Sequence, residues 1–195
     1  MLQQDGKRPT ALTAEVYSPT ARRLHWWTVA FVAVMIPLGI GMHIRGNELN
    51  IWDGTTNAMY SVHKLLGFTL LWLVVARLVY RFRHGAPADE PTLEWWQKAA
   101  SHATHWGLYA LLLAIPLTGW LGVSFFGARD IFGIVNLPPI TPEDQNLAGR
   151  MFYIHWALAM LLLAAIAAHV GAAIFHHFKR KDGVLTRMLP NLKRR

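Results

Sequence analysis

The 195-residue sequence contains no cysteine, and this absence removes several classes of protein at once. Without thiolates the chain cannot form disulfides, bind an iron–sulfur cluster or build a thiolate zinc site. Haem attached covalently through a Cys-x-x-Cys-His motif is excluded for the same reason. Any metal centre here has to be held by other side chains, and the ten histidines are the candidates.

Charged residues are also scarce, at 15% of the chain, against about 25% in an ordinary soluble domain. Hydrophobic residues make up 53% and are contiguous. A stretch of about 20 apolar residues is long enough to cross a bilayer as a helix. Four such stretches lie at approximately 24–43, 59–80, 103–125 and 151–175. The sequence therefore predicts an all-α integral membrane four-helix bundle, with residues 1–195 forming a single domain.

The segments before the first and third stretches lead to two smaller predictions. The first stretch follows a polar, basic start and lacks a small-residue cleavage site, so no signal peptide is expected. Residues 93–100 contain Trp95 and Trp96, and aromatic residues of this kind collect at the membrane interface. We expect 93–100 to form a short interfacial helix before the third span.

The basic residues predict how the chain is oriented. Fifteen of the 19 Lys and Arg fall on one side of the four spans, in the N-terminal segment, the 81–102 connection with the end of the second span, and the C-terminal segment. Lysine and arginine collect in short cytoplasmic segments. Both termini are therefore predicted to be cytoplasmic. The net charge of +8 is explained by contact with anionic lipid, and no nucleic acid is implied.

The histidines are the polar groups that the predicted spans carry. An ionisable residue inside a bilayer is costly, and its presence suggests a function. His155 and His169 are 14 residues apart, a separation of about 21 Å along a helix that is only about 40° short of four full turns. They share one helix face with one imidazole in each leaflet, as two stacked haems require.

Depth then predicts the partners of these two histidines. In the outer leaflet His63 faces His155, with His43 as a competitor nearer the loop. In the inner leaflet His169 has two candidate partners, His25 and His105. Two imidazoles per iron close both axial positions, so such haems exchange electrons and do not bind oxygen at rest. The sequence thus predicts two b-type haems with His63, His155 and His169 as iron ligands.

Other residues are expected to surround the haems. Gly39, Gly67 and Gly119 fall on helix faces where a flat macrocycle needs space. Haem propionates are anionic, so basic side chains near the interface are expected to bind them. Lys64 and Arg150 suit the outer haem, and Arg77 and Arg81 suit the inner haem. The remaining histidines near the inner surface, His84, His176 and His177, are expected to be solvated.

Several short motifs, in order, give the chain a recognisable pattern. They are Arg-Leu-His-Trp at 23–26, Val-His-Lys at 62–64, His-x-x-His at 102–105, Ile-His-Trp at 154–156, Ala-His-Val-Gly-Ala at 168–172 and the basic tail at 176–190. In this order and spacing the chain resembles the bacterial cytochrome b561 family. These proteins are related to the dihaem membrane subunits of nickel–iron hydrogenases and formate dehydrogenases.

The resemblance implies ligands and an activity. It implies that His25 pairs with His169 and His63 with His155, which leaves His105 beside the inner haem. It also implies a protein of the bacterial inner membrane that passes electrons between quinone, ubiquinone in particular, and a redox partner. Some members oxidise superoxide. The alternative is a dihaem anchor subunit of a larger hydrogenase or dehydrogenase, and a third hypothesis is a membrane protein without haem.

Overall fold

The computed structural model describes residues 15–192, which form four long α-helices. These are α1 (Pro19–His43), α2 (Gly54–His84), α3 (Trp95–Phe126) and α4 (Gln145–Phe175). Each contains one predicted apolar stretch, and each is long and apolar enough to cross a membrane. The predicted all-α transmembrane four-helix bundle is therefore confirmed. Lys7, Arg8, Lys193, Arg194 and Arg195, which contribute to the charge asymmetry, lie outside the described residues.

Polar caps set the points where the helices begin. Ser18 accepts a hydrogen bond from the amide of Ala21 at 3.2 Å, directly before Pro19 opens α1. Asp53 accepts one from the amide of Thr56 at 2.9 Å and so caps α2. This hydrogen bond and the neighbouring Arg45 guanidinium lower the pKa of Asp53. Such caps satisfy amides at a helix start that have no partner within the helix.

The start of α3 corrects one prediction. Residues 93–100 do not form a separate interfacial helix, because α3 runs without a break from Trp95. The reason is a capping box, in which Glu94 and Gln97 satisfy each other's backbone amides and fix the helix start at this point. Trp95 and Trp96 are exposed in the first turn of α3.

Short connections place consecutive helices side by side and antiparallel. Helix α1 packs on α2, α2 on α3, and α3 on α4. We call the end of the bundle that carries residues 15–18 and 176–192 the terminal face, and the opposite end the loop face. The buried core lies midway between them and is formed by Val32, Leu70, Val74, Leu112 and Leu162.

The connection between α3 and α4 folds back along the bundle at the loop face. It contains a small antiparallel pair, β1 (Asp130–Ile131) and β2 (Val135–Asn136). The Trp120 indole donates to the carbonyl of Pro138 at 2.9 Å, and the amide of Phe132 donates to Ser61 Oγ at 3.2 Å. These bonds hold the connection against the loop-face ends of α2 and α3.

The C-terminal tail covers the terminal face through the buried side chain of Arg187. Its guanidinium donates to the carbonyls of Glu15, at 2.9 Å, and Ala88, and lies over the Tyr17 ring at 5.3 Å. One side chain therefore joins the N-terminal segment, the α2–α3 connection and the tail. This explains the basic tail motif as a structural element of the fold.

Replacing Arg187 with methionine should destabilise the folded protein. The carbonyls of Glu15 and Ala88 would lose their charged donor, which costs about 2 kcal/mol and lowers the unfolding midpoint by roughly 4–8 °C. Circular dichroism of the purified protein in detergent measures the midpoint. The exposed Lys179, replaced in the same way, serves as the control and should leave the midpoint unchanged; an equal effect of the two substitutions would contradict the role of Arg187.

Candidate functional site

A seven-residue spacing on all four helices organises the interior of the bundle. Seven residues make almost two helical turns, so positions at this spacing share one face. The layer nearest the terminal face, the terminal layer, consists of His25, Arg77, His105 and His169. The middle layer consists of Val32, Leu70, Leu112 and Leu162. The layer nearest the loop face, the loop layer, consists of Gly39, His63, Gly119 and His155.

In the loop layer, His63 and His155 face each other across the bundle. Their ring centroids are 6.0 Å apart and the rings are nearly perpendicular, at 74°. A metal ion held by two imidazoles needs about 2 Å to each nitrogen, and a centroid lies roughly 1.1 Å further back, so facing centroids stand about 6 Å apart. The observed separation fits one iron between these two rings.

The hydrogen bonds of the loop layer also suit metal binding. His155 Nδ1 lies 2.8 Å from the carbonyl oxygen of Ile115, which can only accept, so Nδ1 carries the proton. Nε2 of His155 is then left with its lone pair, the usual arrangement in a histidine that binds a metal. Nδ1 of His63 is enclosed and has no hydrogen-bond partner among the described residues.

The glycines of the loop layer lie directly against the imidazole rings of that layer. A Cβ atom on Gly119 would lie 3.1 Å from Cε1 and Nδ1 of His155, and one on Gly39 would lie 3.2 Å from Cε1 of His63. Gly39 and Gly119 therefore each make room for an imidazole ring on a neighbouring helix, and space for a macrocycle at these positions stays a prediction. A Cβ on Gly67 would meet Met35 at 3.3 Å.

The terminal layer brings three histidines together. The ring centroids of His25 and His169 are 6.5 Å apart at 72°, nearly the geometry of the loop-layer pair. Those of His105 and His169 are 5.2 Å apart at 82°, which is short for a metal ion between them. The ring separations therefore favour His25 over His105 as the partner of His169.

The hydrogen bonds of the terminal layer, in contrast, favour His105 as the partner of His169. His105 Nδ1 donates to the carbonyl of Ser101 at 2.6 Å, which leaves its Nε2 free, as in His155. His25 Nδ1 lies 3.0 Å from Nη2 of Arg77, which can only donate, so this nitrogen accepts. Iron binding by Nε2 of His25 would place the proton on Nδ1, so Arg77 and a metal require opposite proton positions on this ring.

The basic residues predicted to bind propionates have different surroundings. Arg77 is half-buried and, besides its bond to His25, lies over the Tyr109 ring at 5.1 Å. Lys64 donates to the carbonyls of Ala128, at 3.1 Å, and Asp130, and so also holds the α3–α4 connection. Arg81 is half-buried one turn beyond Arg77, and Arg150 is exposed on α4.

The remaining histidines have partners outside the two layers. His43, the predicted competitor for the outer site, stacks on Trp156 at 4.3 Å and contacts Glu48 at 3.2 Å. His102 contacts Asp89 at 3.1 Å. His84 is exposed, as predicted.

Two predictions of solvation were wrong. His177 is buried, at 6% exposure, and His176 is half-buried with its Nδ1 2.6 Å from Asp182. Both lie beneath the tail, which returns over the terminal face after the turn at Lys181. The signal in the sequence that could have indicated the pairing of His176 with Asp182 is a carboxylate six residues further along the chain.

Comparison with known proteins agrees with this architecture. The model of the prokaryotic cytochrome b561 family matches residues 16–191. The chain belongs to this family. It is 32% identical over 181 residues to cytochrome b561 homolog 1 of Escherichia coli (strain K12), covering 91% of this chain and 98% of that protein. It is 29% identical over 178 residues to cytochrome b561 homolog 2 of the same strain, covering 91% and 93%.

A further relative carries a more specific name. The chain is 29% identical over 133 residues to the probable superoxide oxidase CybB of Yersinia pestis, covering 68% of this chain and 75% of that protein. Family membership together with the four apolar helices makes this chain a multi-pass bacterial membrane cytochrome b. Its cofactor is haem b, and it acts in electron transfer.

Replacing Gly119 with alanine should weaken haem binding. The new Cβ would press on His155, whose ring is fixed by its bond to Ile115, and overpacking of this kind costs about 1–3 kcal/mol. The reduced-minus-oxidised absorption spectrum, with haem quantified per chain, measures the loss. Gly107, on the same helix, has open space around its Cβ position. Gly107→Ala should retain full haem content, and equal losses in both variants would refute the steric explanation.

Proposed function

We propose that the protein is a transmembrane dihaem cytochrome that transfers electrons between a quinone and a second redox partner. His63 and His155 hold one haem, and His25 and His169 hold the other. The observation that carries this proposal is the repetition of one geometry, since an imidazole of α4 faces one of α2 at 6.0 Å in the loop layer and one of α1 at 6.5 Å in the terminal layer. If these histidines served only in helix packing, there would be no reason for two imidazole pairs to have nearly the same separation and angle.

The chain's own residues hold and separate the two centres. A haem with two axial imidazoles supplies one-electron exchange between ferric and ferrous iron. The Ile115 carbonyl orients His155, and Gly119 and Gly39 admit the two loop-layer rings. The middle layer is aliphatic and buried, so it keeps water and polar groups out of the region between the layers. The layers are 14 residues apart, about 21 Å along a helix.

The choice of His25 over His105 rests on the ring separations and on the family resemblance. In this assignment His105 would lie beside the haem, and Arg77 would bind a propionate in place of Nδ1 of His25. Arg81 is the second candidate for binding that propionate. Lys64 and Arg150 are the candidates for binding the propionates of the loop-layer haem. The whole chain forms one domain of the inner membrane, with both termini cytoplasmic and the terminal layer on the cytoplasmic side.

Alanine substitutions of single histidines test the ligand assignment. His63→Ala should remove the loop-layer haem and His169→Ala the terminal-layer haem, so each variant should bind half the haem of the parent protein. His25→Ala should behave like His169→Ala, whereas His105→Ala should keep both haems. Haem per chain and low-temperature absorption spectra measure these outcomes. Full haem content in His25→Ala with a loss in His105→Ala would reverse the choice of ligand.

The name of the Yersinia pestis relative makes superoxide the first donor to test, with ubiquinone as acceptor. On this proposal electrons enter at the loop face and leave near the terminal layer. The tail covers the terminal face through Arg187, which leaves less of that face for a catalytic subunit. This favours a stand-alone oxidoreductase over an anchor subunit of a hydrogenase or dehydrogenase.

The purified protein in detergent should therefore reduce ubiquinone when superoxide is generated enzymatically. Haem reduction should be fast, and superoxide dismutase should abolish it. His63→Ala serves as the matched variant, because it removes the centre nearest the loop face. If superoxide reduces no haem above background, and a peripheral redox subunit co-purifies at a fixed ratio, the anchor function is correct.

A further inference from the structure

A groove at the terminal face lies outside the two histidine layers. It runs between the first two turns of α1 and the end of the tail, with a volume of about 780 Å³. The indole of Trp26 donates to the carbonyl of Met188 at 3.4 Å and joins the two walls. The α1 wall carries Arg22, Arg23, Trp26 and Trp27, and the tail wall is largely apolar, with Met188, Leu189, Pro190 and Leu192.

The charges in this groove are all of one sign. Arg22 and Arg23 are consecutive, and neither has a carboxylate within ion-pair distance among residues 15–192. Nε of Arg22 is enclosed and makes no hydrogen bond within the same residues. Buried guanidinium donors are normally paired, preferably with a carboxylate or phosphate that accepts from two of them. The groove therefore has the donors for an anion.

The depth of the groove indicates where that anion comes from. Val32, in the middle layer, is ten residues after Arg22, which places Arg22 about 15 Å from the mid-plane of the bundle. The hydrocarbon core of a bilayer is about 30 Å thick, so both arginines lie at its boundary, from which their long side chains can reach the lipid phosphates. Trp26 and Trp27 lie about one turn deeper, where indoles concentrate in membrane proteins.

We propose that this groove binds the headgroup of an anionic phospholipid. The phosphodiester accepts hydrogen bonds from Arg22 and Arg23, and the acyl chains lie along Trp27 and Leu192, both of which are exposed. The lipid then bridges α1 and the tail one turn from His25. No residue of the groove belongs to either histidine layer, so the proposal does not rest on which histidines hold the haems.

Native mass spectrometry of the full-length, haem-loaded protein in detergent tests the proposal. The probes are phosphatidylglycerol, phosphatidylcholine and inorganic phosphate. The parent protein should bind phosphatidylglycerol at least tenfold more tightly than phosphatidylcholine. The double variant Arg22→Gln/Arg23→Gln should lose that preference, whereas Arg22→Lys/Arg23→Lys should keep most of it because the charge remains.

The matched control removes two exposed basic residues elsewhere near the terminal face, in Arg83→Gln/Lys179→Gln, and should bind phosphatidylglycerol as the parent does. Haem spectra establish that each variant is folded. If a folded Arg22→Gln/Arg23→Gln variant keeps the preference, or if the control loses it equally, the site is wrong. If inorganic phosphate binds as tightly as phosphatidylglycerol, the site recognises a free anion and the lipid assignment is wrong. These results do not depend on which electron donor the protein uses.

Discussion

The register between the four helices is the constraint on which the rest of the structure depends. Two histidines on α4 can serve two centres only if every other helix presents its own residues at the same two heights. The seven-residue step achieves this, because it returns almost to the same helix face at two well-separated depths. Between those depths the same face carries aliphatic side chains on all four helices. The interior face of each helix thus carries layer residues at two depths and an aliphatic side chain between them, while the helix itself stays regular.

The two layers differ in composition, and the difference is chemical. The loop layer has two imidazoles and two glycines, so nothing in it competes with the facing rings for space or for protons. In the terminal layer both glycines are replaced by histidines, His25 on α1 and His105 on α3, and the histidine of α2 is replaced by Arg77. A permanent cation and a third imidazole surround His169 there. On the proposed ligand assignment the two haems would have unequal electrostatic surroundings and so unequal affinities for electrons, which would give electron transfer a preferred direction.

The sequence predicted the fold well, because four apolar stretches and sparse charge leave few alternatives to a transmembrane bundle. It also identified the histidines that the structure brings together, since 14 residues on α4 fix both height and direction. It could not choose between His25 and His105, because both point inward at one depth and only side-chain distances separate them. The burial of His177 was missed because a tail that returns over the bundle end depends on long-range contacts, chiefly those of Arg187. The sequence indicated that Gly119 provides space, but the contact of that space with the His155 ring became visible only in the structure.

The seven-residue spacing also limits where residues can be inserted or deleted as such a chain evolves. Inserting or deleting one residue between the two layers would turn one layer by about 100° relative to the other. On α4 this would direct either His155 or His169 away from the interior, and on α3 it would replace Gly119 with a bulkier neighbour. The connections at 49–53, 85–94 and 127–144 carry no such restriction. Length variation among homologues is therefore expected in the loops and tails, while the helical segments between the layers keep a constant residue count.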